Sequence, residues 1–247
     1  MDSTLLIAMM GGSISFASTA VGACLALTPR SQKWLQSHAS SIDFVLGLML
    51  SAAAFSLVGP VALKALYHWE KLEIIVFGLY AGIFLVTLLR RLIQQRMHFS
   101  SQAQANQLLL AIVLMVHNIP EGMASGVSLI GLSKESALSL LGAIALQNIP
   151  EGLLMVVSLR SLGMPLGYAF LGGIGSGVVE FLGSFAAGLA IDTTQEYVPA
   201  VLAMAGGAMF TSALVELFES GSLRERLWNM RFAAGILSVP LLNQLIF

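Results

Sequence analysis

Two short polar runs interrupt an otherwise apolar stretch of sequence: His117-Asn118-Ile119-Pro120-Glu121-Gly122 and Gln147-Asn148-Ile149-Pro150-Glu151-Gly152. They are one hexapeptide written twice, with a register of thirty residues (117 to 147). Each copy sets a polar side chain four residues before a carboxylate, so both lie on one face of a helix. Each also carries a proline, which lacks an N–H and crowds the carbonyl four residues back. Pro120 should thereby free the carbonyl of Val116, and Pro150 that of Leu146. In hydrocarbon such breaks survive only where protein, water or an ion satisfies the backbone. Gly122 and Gly152 leave room beside each carboxylate.

A third acid, Glu180, lies near the centre of the next apolar stretch, among Gly172, Gly173, Gly175 and Gly177. The side chains that these three segments can aim at one another are His117, Asn118, Glu121, Gln147, Asn148, Glu151 and Glu180. Three carboxylates cannot share a dry site fully ionised without a cation or protons. No lysine or arginine stands in the central parts of these segments to balance them. An imidazole, amide oxygens and carboxylates together suit a divalent transition metal, with Zn²⁺, Mn²⁺, Fe²⁺ and Cd²⁺ all compatible. Ionisable groups at such depth read by default as a functional site.

The elements that must hold these residues follow from composition. Of 247 residues, 57% are hydrophobic and 10% charged, against roughly 25% charged in a soluble domain. That is too little charge to coat a water-facing surface, so the chain is expected to be an integral membrane protein. Eight spans fit, at about Leu5–Leu27, Phe44–Leu66, Ile74–Leu92, Gln107–Ile130, Ser136–Leu159, Leu166–Ile191, Pro199–Leu217 and Phe232–Phe247. The fold class is all-α, a single polytopic membrane domain over residues 1–247. The start, Met1-Asp2-Ser3-Thr4, lacks a basic run, and the first span is read as a retained helix. Arg30, Lys33, Arg90, Arg91, Arg96, Arg160, Arg224, Arg226 and Arg231 fall in alternate loops, and Lys64, Lys71 and Lys134 in the others. Nine against three puts both termini on the extracytoplasmic side. Successive spans joined by a short loop run antiparallel, so the two hexapeptides are related by an inverted repeat, as in many transporters. A net charge of −1 leaves no footprint for nucleic acid. The single cysteine, Cys24, excludes an internal disulfide.

The HNIPEG and QNIPEG motifs in successive helices resemble those of the ZIP (Zrt/Irt-like) metal-ion transporters, in particular the prokaryotic GufA-like branch, where glutamine opens the second motif. The resemblance implies a binuclear site. Met49, His117, Glu121, Gln147 and Glu151 would hold a first ion. Asn118, Glu121, Asn148, Glu151 and Glu180 would hold a second, with Glu121 and Glu151 bridging. It further implies no cofactor but a transported divalent metal, zinc foremost, carried into the cytoplasm by elevator-like alternating access in a prokaryotic inner membrane. A homodimer is one assembly compatible with it. The histidine-rich loop common in the family is reduced here to His98, and Glu216 corresponds to an acid near the cytoplasmic end of span 7. Two other readings compete. An organic-cation carrier would usually show aromatic residues at the site, yet Trp34, Trp69 and Trp228 fall at loops or span ends. An intramembrane metalloprotease needs H-E-x-x-H, and Asn118 and Glu121 stand where its glutamate and second histidine would be.

Overall fold

The structure is a computed structural model that describes residues 3–28, 38–67, 72–96, 102–191, 195–219 and 229–246. Expectations attached to Arg30, Lys33, Trp34, Trp69, Lys71, His98, Arg224, Arg226 and Trp228 lie outside the described residues. Within them the chain forms helical rods and no strand. α1 is Ser3–Leu25. α2 runs through His38–Ser51, a π-helical turn Ala52–Val58, and Gly59–Tyr67. α3 is Leu72–Arg96, α4 is Gln102–Gly131, α5 is Lys134–Ser161, α6 is Leu166–Ile191, α7 is Val198–Glu219 and α8 is Met230–Ile246.

Among the described residues, six of these rods are long and apolar enough to cross a bilayer: α1, α2 over Asp43–Leu63, α3, α5, α6 and α7. The hexapeptides lie in α4 and α5. The burial pattern is the reverse of a soluble protein. Phe77, Tyr80 and Phe84 on α3 are 74%, 66% and 64% exposed, while Glu121, Glu151 and Glu180 are at most 1% exposed. Large apolar side chains on the outside with acids at the centre describe a multi-pass membrane protein.

Sequence-local signals set the ends of α5. Ser133 caps its start, its hydroxyl accepting from the Ser136 N–H at 3.3 Å. Its last turn closes at Gly163, with φ +86°, whose N–H donates to the Arg160 carbonyl at 2.9 Å. In α2 the Gly59 N–H reaches back to the Ala54 carbonyl, a five-residue step. Pro60 follows at once. Widening the helix ahead of a proline is one way to relieve the clash of its ring with the preceding turn. This π-helical turn was not foreseen from the apolar pattern, which is the same for either helix type.

Glycines sort the rods into two groups. In the first, α1, α4, α5 and α6 touch backbone to backbone. A Cβ at Gly11 would strike the Ser125 carbonyl, one at Gly22 that of Ile149, one at Gly152 that of Thr19, one at Gly122 that of Glu180 and one at Gly183 that of Ile119. In the second, α2, α3, α7 and α8 do the same. Gly47 lies against the Phe232 carbonyl and Gly235 against that of Phe44, while Gly78 and Gly82 lie against the Ala200 and Met204 carbonyls. Ser51 adds a hydrogen bond from α2 to the Ile236 carbonyl of α8 at 2.6 Å. Small residues permit this approach where lipid removes the hydrophobic drive for helices to associate. Between the groups, α4 packs on α7. At Gly131 an added Cβ would meet the side chain of Val198 in the other group.

Candidate metal site

Both motif helices continue through their prolines, α4 past Pro120 and α5 past Pro150, although each proline still lacks the N–H that would bond the carbonyl four residues back. Neighbouring helices sit against the turn instead. Gly183 approaches the Ile119 carbonyl and Gly22 the Ile149 carbonyl. Proline is tolerated in membrane helices when surrounding protein accommodates the disturbed turn.

His117, Glu121 and Glu151 come together at the centre, each offering one ligand atom, and these atoms all lie within 4.8 Å of one another. All three side chains are buried. The imidazole is oriented by Nδ1, which is 2.8 Å from the Val113 carbonyl; this contact suits an Nδ1–H donor and leaves Nε2 as the free ligand atom. Nε2 stands 2.8 Å from Glu151 Oε1. This is an imidazole–carboxylate contact in which neither atom has a further hydrogen-bond partner. Gln147 Nε2 donates to Glu151 Oε2 at 3.3 Å, which leaves Gln147 Oε1 unpartnered. Both carboxylate oxygens of Glu121 are also buried without a partner. Orphaned buried acceptors of this kind are costly, and here they converge from two helices.

Behind this cluster lies a second, fully connected one. Asn118 spends both amide hydrogens, on Ser176 Oγ at 2.8 Å and on Glu180 Oε1 at 2.9 Å. Asn148 does likewise, on Ser15 Oγ at 2.9 Å and on Glu180 Oε2 at 2.8 Å. Glu180 also accepts from the Ser15 hydroxyl at 2.5 Å and the Thr19 hydroxyl at 2.7 Å. The carbonyl oxygens of Asn118 and Asn148 are buried and have no hydrogen-bond partner.

Seven of the expected residues, His117, Asn118, Glu121, Gln147, Asn148, Glu151 and Glu180, thus fall within the two clusters, with Glu180 between the asparagines. Met49 is buried on α2 in an apolar cluster that includes Leu114 of α4 and Ala143 and Ile144 of α5, each one turn before a motif. Glu216 on α7 sits close enough to Arg90 on α3 to act on its charge. An acid beside a guanidinium is a poor receiver for a departing cation.

Sequence reasoning missed Ser15, Thr19 and Ser176. A signal was present. α1 carries Ala8, Gly11, Gly12, Ser15, Thr19, Gly22 and Ala26; α6 carries Ala169, Gly172, Gly173, Ser176, Glu180, Gly183 and Ala187 in the same order and spacing. The contacts repeat too. Asn118, Ile119 and Gly122 of α4 meet Ser176, Gly183 and Glu180 of α6. Asn148, Ile149 and Gly152 of α5 meet Ser15, Gly22 and Thr19 of α1. The repeat therefore includes α1 and α6 as well as the hexapeptides.

The family model described as ZIP Zinc transporter matches residues 94–240. The zinc transporter ZIPB of Bordetella bronchiseptica is 36% identical over 216 residues, covering 82% of this chain and 68% of that protein. The chain belongs to the ZIP zinc transporter family.

Proposed function

We propose that this chain carries divalent transition-metal ions, zinc foremost, across the membrane into the cytoplasm through a binuclear site at its centre. The observation that carries this reading is the convergence of His117, Glu121 and Glu151 with their ligand atoms within 4.8 Å and most of them unpartnered. A divalent cation satisfies these orphaned acceptors and the charge of the acids together. His117, Glu121, Gln147 and Glu151, with the Met49 thioether, form the first ion site. Asn118, Asn148, Glu180 and the bridging Glu121 and Glu151 form the second. Imidazole and thioether ligands favour Zn²⁺ or Cd²⁺, and the oxygen-rich second site also admits Mn²⁺ and Fe²⁺.

Transport then follows by alternating access of an elevator type. The first group, α1, α4, α5 and α6, holds all of these ligands except Met49. Its helices touch backbone to backbone, whereas at Gly131 it meets the second group through the side chain of Val198. Such a pairing lets one group slide on the other as a unit. Eight spans with both termini outside the cytoplasm, a cell-membrane location and a homodimeric assembly complete the reading. Uptake of radioactive zinc into proteoliposomes tests it. Reconstituted protein should accumulate zinc above empty vesicles and the Glu151→Gln variant should not; uptake equal to empty vesicles refutes transport.

A further inference from the structure

We propose that Ser51 is a positioning residue for Met49, and that it ties the stretch of α2 presenting this thioether to α8. The inference rests on the metal-transport reading above, in which Met49 is a ligand of the first ion. Pro240 stands within α8 and has no N–H to give the Ile236 carbonyl, four residues back. The Ser51 hydroxyl donates to that carbonyl at 2.6 Å, from a side chain only 1% exposed. A serine of the neighbouring helix thus serves the acceptor that the proline leaves in the apolar interior.

Met49 stands two positions before Ser51. Two positions are about 200° around a helix, so the face of α2 away from Met49 is the one fastened to α8. Ser51 is also the last residue before the π-helical turn Ala52–Val58. The bond therefore fixes the regular segment that carries Met49 ahead of the widened one. The pair α7 and α3 shows that such packing does not itself need this bond. Gly47 and Gly235 meet the Phe232 and Phe44 carbonyls, and Gly207 and Gly82 meet those of Leu79 and Met204 in the same order. That spacing sets Thr211, Ile83 and Thr87 in the places of Ser51, Ile236 and Pro240. There each hydroxyl stays within its own helix, Thr211 on the Gly207 carbonyl and Thr87 on the Ile83 carbonyl, both at 2.7 Å. The crossing bond from Ser51 is an addition to the glycine packing, placed two residues from the ligand.

The test is X-ray absorption at the cadmium edge on the purified full chain in detergent. A Cys24→Ala background makes any sulfur at the metal a thioether. The parent should show a sulfur neighbour that Met49→Leu loses, and Ser51→Ala should lose it as well. Ser51→Ala/Pro240→Ala carries the test by itself if the single variant does not fold. Its second substitution restores an N–H for the Ile236 carbonyl and leaves α2 untied. This double variant should melt above Ser51→Ala and still lack the sulfur neighbour. Pro240→Ala alone keeps the Ser51 hydroxyl and should keep the sulfur. A sulfur neighbour retained in Ser51→Ala, or restored in the double variant, overturns the proposal, because the hydroxyl then serves only the carbonyl. A parent spectrum that Met49→Leu leaves unchanged overturns it too. A parent that binds neither cadmium nor zinc overturns the transport reading itself, which separates the two failures.

Discussion

Replacing Gly122 by alanine tests the link between helix packing and the site. A Cβ there would fall 2.6 Å from both the Cα and the carbonyl carbon of Glu180. Carbon–carbon contacts are comfortable at about 3.5–4.0 Å, so α4 and α6 must part by about 1 Å at the level of the proposed metal site. Backbone cannot rotate out of the way as a side chain would. The bond from Asn118 Nδ2 to Glu180 Oε1, now 2.9 Å, would stretch to about 3.9 Å, beyond hydrogen-bond range. Overpacking of this kind costs about 1–3 kcal/mol. The proper control is Gly175→Ala on α6, where an added Cβ meets nothing within 4 Å. Both substitutions bring the same helix gain of roughly 0.5–1 kcal/mol, so their difference isolates the overlap. At about 2–4 °C per kcal/mol for a chain of this size, Gly122→Ala should melt several degrees below Gly175→Ala in detergent. It should also bind the second zinc more weakly, while the control binds as wild type. Equal melting temperatures with equal zinc affinity would show that the glycine contact does not hold the site.

Glu151→Gln, which removes the carboxylate beside His117, should weaken both ions and abolish proteoliposome uptake, whereas Asn118→Ala should spare one ion; elemental analysis of the purified variants decides. Protons compete with metal for His117, Glu121 and Glu151, so zinc affinity should fall as pH is lowered, and calorimetry showing affinity flat or rising toward acid would contradict a site built from these groups. Glu216→Gln should leave zinc stoichiometry unchanged and lower the melting temperature, because the acid faces Arg90 between α3 and α7; lost uptake at unchanged stability would instead make Glu216 part of the ion path. The added Cβ of Gly131 lies 3.1 Å from Val198 Cβ, near the range of about 3.5–4.5 Å that a disulfide spans. In a Cys24→Ala background, Gly131→Cys/Val198→Cys should therefore cross-link α4 to α7 on oxidation, stop uptake, and recover it on reduction; undiminished uptake by cross-linked protein rules out sliding at this contact.

The sequence alone was informative where chemistry was written in rare residues. Acids, amides and an imidazole are conspicuous in apolar helices, so His117, Asn118, Glu121, Gln147, Asn148, Glu151 and Glu180 stood out, and six of the expected spans correspond to rods of sufficient length and apolarity. Ser15, Thr19 and Ser176 did not stand out. Serine and threonine are common in membrane helices, where they usually bond their own backbone, as Ser18 and Thr211 do here. Only the three-dimensional pairing shows which hydroxyls turn inward. The donors around Glu180 were hidden for a related reason. A buried acid looks the same in sequence however many donors surround it. The continuity of α4 and α5 through Pro120 and Pro150 depends on what packs against those turns, which no local rule supplies.

The near-symmetry of the two halves also explains why the third acid is single. Asn118 and Asn148 approach from opposite halves of the repeat, and each needs an acceptor to fix its amide. One carboxylate has two oxygens, and Glu180 gives Oε1 to one half and Oε2 to the other. A second acid at the equivalent place in α1 would satisfy no further donor, since both amides have already spent their hydrogens. It would add a buried charge beside Glu180 with no base to offset it, a costly arrangement. A hydroxyl at that position can do what another carboxylate cannot, which is donate. Thr19 therefore completes the ring around Glu180, and the symmetry of the repeat is broken at the one position where two equal residues would repel.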